Sequence, residues 1–135
     1  MRIELQAEIG ECGLACLAMI ASDYGDTRHL HDLRCTFGAG LKGMTLRSLI
    51  GAASTLGFSS RPVKLPIDQL FNLHLPCILH WDLNHFVVLK KVQRDSIIIL
   101  DPAVGECRLP FAEVSRHFTG VALELTPNAD FKPVD

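Results

Sequence analysis

The sequence predicts an α+β domain in which N-terminal helices pack on a C-terminal antiparallel sheet. Two observations lead to this fold class. Before position 57, apolar residues recur at the spacings of three and four that are typical of helices. After position 58, short runs of β-branched and aromatic residues alternate with short polar turns. Helices followed by such a sheet define the α+β class.

Three helices are predicted in the N-terminal half. Residues 14–21 are apolar without interruption, so a helix over about 12–23 should be buried on all sides. Residues 28–37 carry an apolar stripe and predict a short amphipathic helix. Thr45 is a residue type that caps helices, and it predicts a third helix that ends at Gly57.

The C-terminal half predicts strands joined closely enough to be antiparallel neighbours. Strands are expected over 58–64, 76–81, 85–92, 96–101, 106–110 and 120–126, with short helices over 66–73 and 111–118. We expect residues 1–126 to form one domain and residues 127–135 to be a tail or the start of a linker.

Composition excludes several classes of protein. The 135 residues fit a single domain, and 48% are hydrophobic, which is enough for a core. The net charge is −2 and basic residues are scattered, so a nucleic-acid partner is not expected. The longest apolar run, residues 14–21, is far shorter than the ~18 residues of a membrane span, and the N-terminus does not resemble a signal peptide. Five cysteines, an odd number, favour a reducing, cytoplasmic setting.

Cys12 is the first candidate for chemistry. It lies where the buried helix begins, and the positive end of the helix dipole favours a thiolate there. The glycines at positions 10 and 13 leave room for a substrate backbone. The alternative is that Cys12 is only a small apolar residue near a helix start.

His85 and Asp101 are the next two candidates. His85 opens a strand, a position that suits a general base, although His85 taken alone is more typical of an ordinary half-buried histidine. Asp101 ends the following strand in an Asp-Pro turn. If the two strands form a hairpin, Asp101 lies near His85 and could orient its imidazole. Cysteine, histidine and aspartate in this chain order are typical of a thiol-protease triad.

Gln6 completes the candidate site. Its side-chain amide can fold back beside the thiol and, together with the Cys12 backbone N–H, form an oxyanion hole. Other patterns are weaker. The GxGxxG string at 38–43 lacks the preceding strand of a dinucleotide site. A zinc site is disfavoured because Cys77 and His80 would point to opposite faces of a strand. The pair Cys12 and Cys16 suggests helix packing rather than redox chemistry.

Together these residues resemble a known family. The pattern Q-x-E-x-x-E-C-G-L-A-C-L over residues 6–17 is similar to the cysteine motif of the bacteriocin-processing peptidase domain of ABC transporters, of the colicin V exporter type. Residues 85–89 and 101–102 resemble its histidine and aspartate motifs. Residues 42–46 and 118–123 also fit, and the resemblance covers roughly residues 4–126.

The resemblance implies a papain-like fold and cleavage of leader peptides after a double glycine, coupled to export of a bacteriocin- or microcin-type peptide. It implies that Cys12 is the nucleophile, His85 the base, Asp101 its orienting partner and Gln6 the oxyanion donor. The peptidase domain would need no cofactor or metal. ATP would be used by an ATPase domain, which with a transmembrane domain would form the rest of the transporter. The implied location is the cytoplasmic face of the bacterial inner membrane, with the isolated domain soluble.

Two other functions stay open at this point. Toxin-exporter relatives carry a similar domain that lacks the cysteine and only binds the leader, but this chain keeps Cys12. A papain-like acyl transferase would use the same triad, and the Gln6–Cys12 spacing argues against it.

Overall fold

The computed structural model describes residues 1–5, 11–26, 28–37, 45–129 and 131. Gln6 and the glycine string at 38–43 lie outside these residues.

Helices form the N-terminal half, as predicted. The first, α1, spans Cys12–Asp23, and its residues from Cys12 to Ala21 are all buried. This confirms that an entirely apolar helix is surrounded by protein. The second, α2, spans Leu30–Phe37. It begins later than predicted because the Asp26 carboxylate accepts the Arg28 backbone N–H and holds that residue in a turn.

The third helix, α3, spans Leu46–Thr55 and has the predicted cap. Thr45 Oγ1 accepts the Ser48 backbone N–H, and Ser48 Oγ accepts the Thr45 backbone N–H. This capping box satisfies two donors that the first turn of a helix leaves unpaired. The helix stops before Gly57, whose φ of +93° suits glycine and ends the helical path.

Within the part of the chain that the structure describes, six antiparallel strands form one sheet. The strands span Phe58–Lys64 (β1), Cys77–Trp81 (β2), His85–Val92 (β3), Ser96–Asp101 (β4), Gly105–Pro110 (β5) and Phe118–Pro127 (β6). Their order across the sheet is β1-β6-β2-β3-β4-β5. The predicted neighbours β2 to β5 are confirmed, while β6 lies between β1 and β2.

β2 and β5 each differ by one residue at the first position from the predicted 76–81 and 106–110, and three other elements differ more. The helix expected over 66–73 is a 3-10 helix, Ile67–Asn72, closed by the Leu73 N–H on the Leu70 carbonyl. The helix expected over 111–118 is a single turn, α4, Phe111–Val114. β6 is longer than the predicted 120–126 because it pairs with β1 along one edge and with β2 along the other.

The sheet separates two apolar clusters. On one face, the three long helices pack on strand residues such as Ile78, Phe86 and Val88. On the other face, Leu79, Val87 and their neighbours pack around Leu70 of the 3-10 helix. The helical cluster includes Cys12 at the start of α1 and Phe86 of β3, so the N-terminus of α1 lies beside the start of that strand.

Two residues after β6, Asn128 and Phe131, contact the domain. The Asn128 backbone N–H donates to the Gly57 carbonyl over 2.9 Å. The Phe131 ring lies against the rings of Tyr24 and Phe58, with centroid distances of 6.4 and 4.8 Å. Both residues are therefore anchored to the domain.

Candidate active site

Cys12 is the first residue of α1 and is 3% exposed. Its thiol lies near enough to the His85 imidazole to help raise the pKa of that ring. The thiol therefore lies both at the positive end of a buried helix and against a titratable ring.

His85 and Asp101 meet at one end of the β3–β4 hairpin. His85 is the first residue of β3 and Asp101 the last residue of β4, and antiparallel pairing brings these strand ends together. Asp101 Oδ1 lies 2.7 Å from His85 Nε2, which confirms the predicted proximity. Because Nε2 is engaged by the carboxylate, Nδ1 is the ring nitrogen left for the Cys12 thiol.

Asp101 also has its predicted role in a turn. Its Oδ1 accepts the Ala103 backbone N–H over 2.9 Å, and its carbonyl accepts the Val104 N–H over 3.1 Å. The turn therefore holds the carboxylate that contacts His85.

Electrostatics favour a protonated imidazole at this site. Burial by itself lowers the pKa of His85, but the hydrogen bonds to Asp101 and Cys12 and the charges of both groups raise it from 6.5 to about 9. Burial by itself raises the pKa of Asp101, yet the hydrogen bonds from His85 and Ala103 bring it below its usual value. The pair is therefore an imidazolium and a carboxylate at neutral pH.

The metal and redox alternatives gain no support. Cys77 packs in the cluster on the face away from the helices, whereas His80 contacts Phe86 on the helical side. Across the described ranges, no group of three or more His, Cys, Asp or Glu side chains is arranged to hold a metal ion. Cys16 lies in the core, where burial raises the pKa of its thiol well above the usual value.

Sequence reasoning missed one cluster beside this site. Trp81 stacks on His117, and His117 also contacts the carboxylates of Asp82 and Glu113. The Asp82–His117 contact joins residues 35 positions apart, in segments that no local pattern connects.

Residues 1–130 match the Peptidase C39 family. The chain belongs to this family of cysteine peptidases. The colicin V secretion/processing ATP-binding protein CvaB of Escherichia coli is 46% identical over 127 residues, which cover 94% of this chain and 18% of that protein. The chain thus spans about a fifth of the length of this curated relative.

Solved structures of C39 peptidases share the fold. A double glycine motif protease from an AMS/PCAT transporter, solved in complex with the leader peptide, has a TM-score of 0.86 and 34% identity, covering 94% of this chain and 91% of that one. The peptidase domain of Streptococcus ComA has a TM-score of 0.83 and 29% identity, with coverage of 93% and 97%. The predicted papain-like α+β fold is therefore confirmed. None of the helices described here has the length and apolar character needed to span a membrane.

Proposed function

We propose that this C39 domain cleaves leader peptides after a double glycine, as the peptidase part of an ABC exporter. The observation that carries the proposal is the contiguous arrangement of Cys12, His85 and Asp101 at the start of a buried helix. Further support comes from the similar structure described as a double glycine motif protease and from the relative that secretes and processes colicin V.

Each side chain has one role in the proposed reaction. The Cys12 thiolate attacks the carbonyl carbon of the second leader glycine, and negative charge develops on the carbonyl oxygen. The Cys12 backbone N–H and the Gln6 side-chain amide donate hydrogen bonds to that oxygen. The His85 imidazolium protonates the leaving amine from Nδ1, which breaks the C–N bond and leaves a thioester on Cys12. The neutral imidazole then takes a proton from water, and the resulting attack on the thioester releases the leader and restores the thiolate.

Asp101 contributes through His85. Its carboxylate holds the imidazole by Nε2 and keeps Nδ1 directed at the thiol. It also stabilises the imidazolium that the amine leaving group requires.

The proposed reaction needs no cofactor or metal. In the proposed exporter, ATP is hydrolysed by a separate ATPase domain, and a transmembrane domain carries the mature bacteriocin- or microcin-type peptide. The peptidase domain would lie on the cytoplasmic face of the inner membrane, where it meets precursors before export.

The test is the mass of a precursor peptide after incubation with the protein. A synthetic leader that ends in Gly-Gly and continues into cargo residues should yield two fragments, cut after the second glycine. Cys12→Ala should bind the leader and leave its mass unchanged. Cys107→Ala is the matched control, because this partly exposed thiol on β5 has no role in the reaction.

Cleavage of the precursor by Cys12→Ala would refute the assignment of Cys12 as the nucleophile. An unchanged mass with the unaltered protein would favour a leader-binding module, and an added group would favour an acyl transferase.

A further inference from the structure

A second imidazole lies between two carboxylates close to the candidate active site. His117 Nδ1 is 2.7 Å from Asp82 Oδ1, and His117 Nε2 is 3.1 Å from Glu113 Oε1. A carboxylate accepts hydrogen bonds and a neutral imidazole has only one N–H, so both contacts are hydrogen bonds only when His117 is protonated. The hydrogen bonds to Asp82 and Glu113 raise the pKa of His117, consistent with this protonation state.

The His117 ring is also stacked on the side chain next to the catalytic histidine. Its centroid lies 5.2 Å from that of Trp81, and the two planes are 9° from parallel. Trp81 is the last residue of β2 and is 3% exposed. It is the cross-strand partner of His85 in the β2–β3 hairpin. A cation over an indole face is attracted to it. The positive charge of protonated His117 therefore stabilises both its contacts with the two carboxylates and its stacking on Trp81.

His117 also holds the turn that leads into His85. Asp82 and Leu83 have φ values of +50° and +69°, which non-glycine residues adopt at a cost in free energy. The Asp82 backbone N–H donates to the His117 carbonyl over 2.8 Å, while the Asp82 side chain accepts from the His117 ring. Residue 117 therefore contacts this turn through its main chain and its side chain, immediately before the first residue of β3.

We propose that His117 is a positioning residue, which acts through Trp81 and Asp82 to hold the β2–β3 turn and thereby the imidazole of His85. The inference rests on the proposed peptidase function. Two carboxylates contact His117 from separate elements: Asp82 in the turn and Glu113 in α4. A third carboxylate, that of Asp101 in β4, is near enough that the charge of His117 helps to lower its pKa. The exposed Arg116 guanidinium lies 3.7 Å from the Glu113 carboxylate and places a second cation beside this group.

The first test compares two substitutions at position 117 in cleavage of a double-glycine precursor at neutral pH. His117→Ala should lower kcat by about tenfold to a hundredfold, the range expected when a reacting group is displaced by up to ~1 Å, with KM unchanged within about twofold. His117→Arg should restore most of the loss, because a planar guanidinium stacks on indole and donates to both carboxylates.

Two controls separate positioning from loss of folding. His29 also contacts a carboxylate, Glu4 Oε1 at 2.9 Å, but in the segment that precedes α2. His29→Ala should therefore leave kcat unchanged. Thermal unfolding of each variant shows whether it is folded at the assay temperature.

The outcomes are distinct. If the unaltered protein does not cut the precursor, the proposed function fails and this inference with it. If the unaltered protein and His29→Ala cut equally and folded His117→Ala matches them, the function stands and the positioning role is refuted. A rise in KM with kcat preserved would also overturn it, since that result would place His117 in substrate binding. Failure of His117→Arg to recover activity in a folded protein would refute the requirement for a stacked cation.

Discussion

Replacing Asp101 with asparagine is expected to shift the pH dependence of cleavage while keeping the geometry of the site. The asparagine oxygen can accept the His85 Nε2–H that the carboxylate accepts at 2.7 Å, but it carries no charge. Papain-like proteases use asparagine in this role, so the imidazole should stay oriented. What is lost is the electrostatic support that, with the Cys12 contact, raises the pKa of His85 from 6.5 to about 9.

The size of the effect follows from the fraction of His85 that is protonated. Because this pKa is raised, the imidazolium is present below about pH 9 and is lost as the pH rises through that value. At pH 8 the protonated fraction is about 0.9 for a pKa of about 9 and about 0.03 for a pKa of 6.5. Asp101→Asn should thus lower kcat/KM by up to about 30-fold at pH 8, but by less than about twofold at pH 6.

The assay is a profile of kcat/KM against pH for cleavage of a double-glycine precursor. In Asp101→Asn the alkaline limb of this profile should move toward lower pH. The apparent pKa of that limb belongs to the coupled Cys12–His85 pair and not to His85 alone. Asp95→Asn is the matched control, since this exposed carboxylate lies in the β3–β4 turn at the other end of the hairpin. An equal loss at pH 6 and pH 8, or an alkaline limb that does not move, would show that the charge of Asp101 does not support His85.

Three further predictions address other parts of the molecule. Gln6→Ala should lower kcat by about 10²–10³-fold with little change in leader affinity, as expected for one oxyanion donor, and a rise in KM alone would instead make it a substrate-positioning residue. At pH 6, iodoacetamide should label Cys12, which faces an imidazolium, faster than Cys107, because burial and nearby carboxylates raise the pKa of Cys107. Peptide mapping measures the two labelling rates, and faster labelling of Cys107 would contradict this prediction. Gly57→Ala should destabilise the fold by about 1–2 kcal/mol or more, because φ is +93° and the added Cβ would lie 2.5 Å from a backbone atom of the anchored C-terminal segment. Gly51→Ala, in open space within α3, should stabilise it by about 0.5–1 kcal/mol, and equal melting temperatures for the two variants would refute this reasoning.

Much of the fold could be predicted because its signals are local. An unbroken apolar run is sufficient to predict that α1 is buried, and the Thr45 cap marks the start of α3. Short turns between strands predict that β2 to β5 are neighbours in order. The approach of Asp101 to His85 follows from the same rule, since a hairpin must bring its open ends together.

Other features depend on contacts between residues far apart in the chain, and local periodicity carries no information about these. Nothing before residue 118 indicates that β6 enters the sheet between β1 and β2, because that position is decided by which sheet edges the other strands leave free. The stacking of His117 on Trp81 depends on that insertion, which pairs Phe118 with Trp81. The sequence by itself determined the α+β class, the buried helix and the chemical types at positions 12, 85 and 101. Only the tertiary structure decided the strand order and the residues that surround His85, because both arise from packing between distant segments.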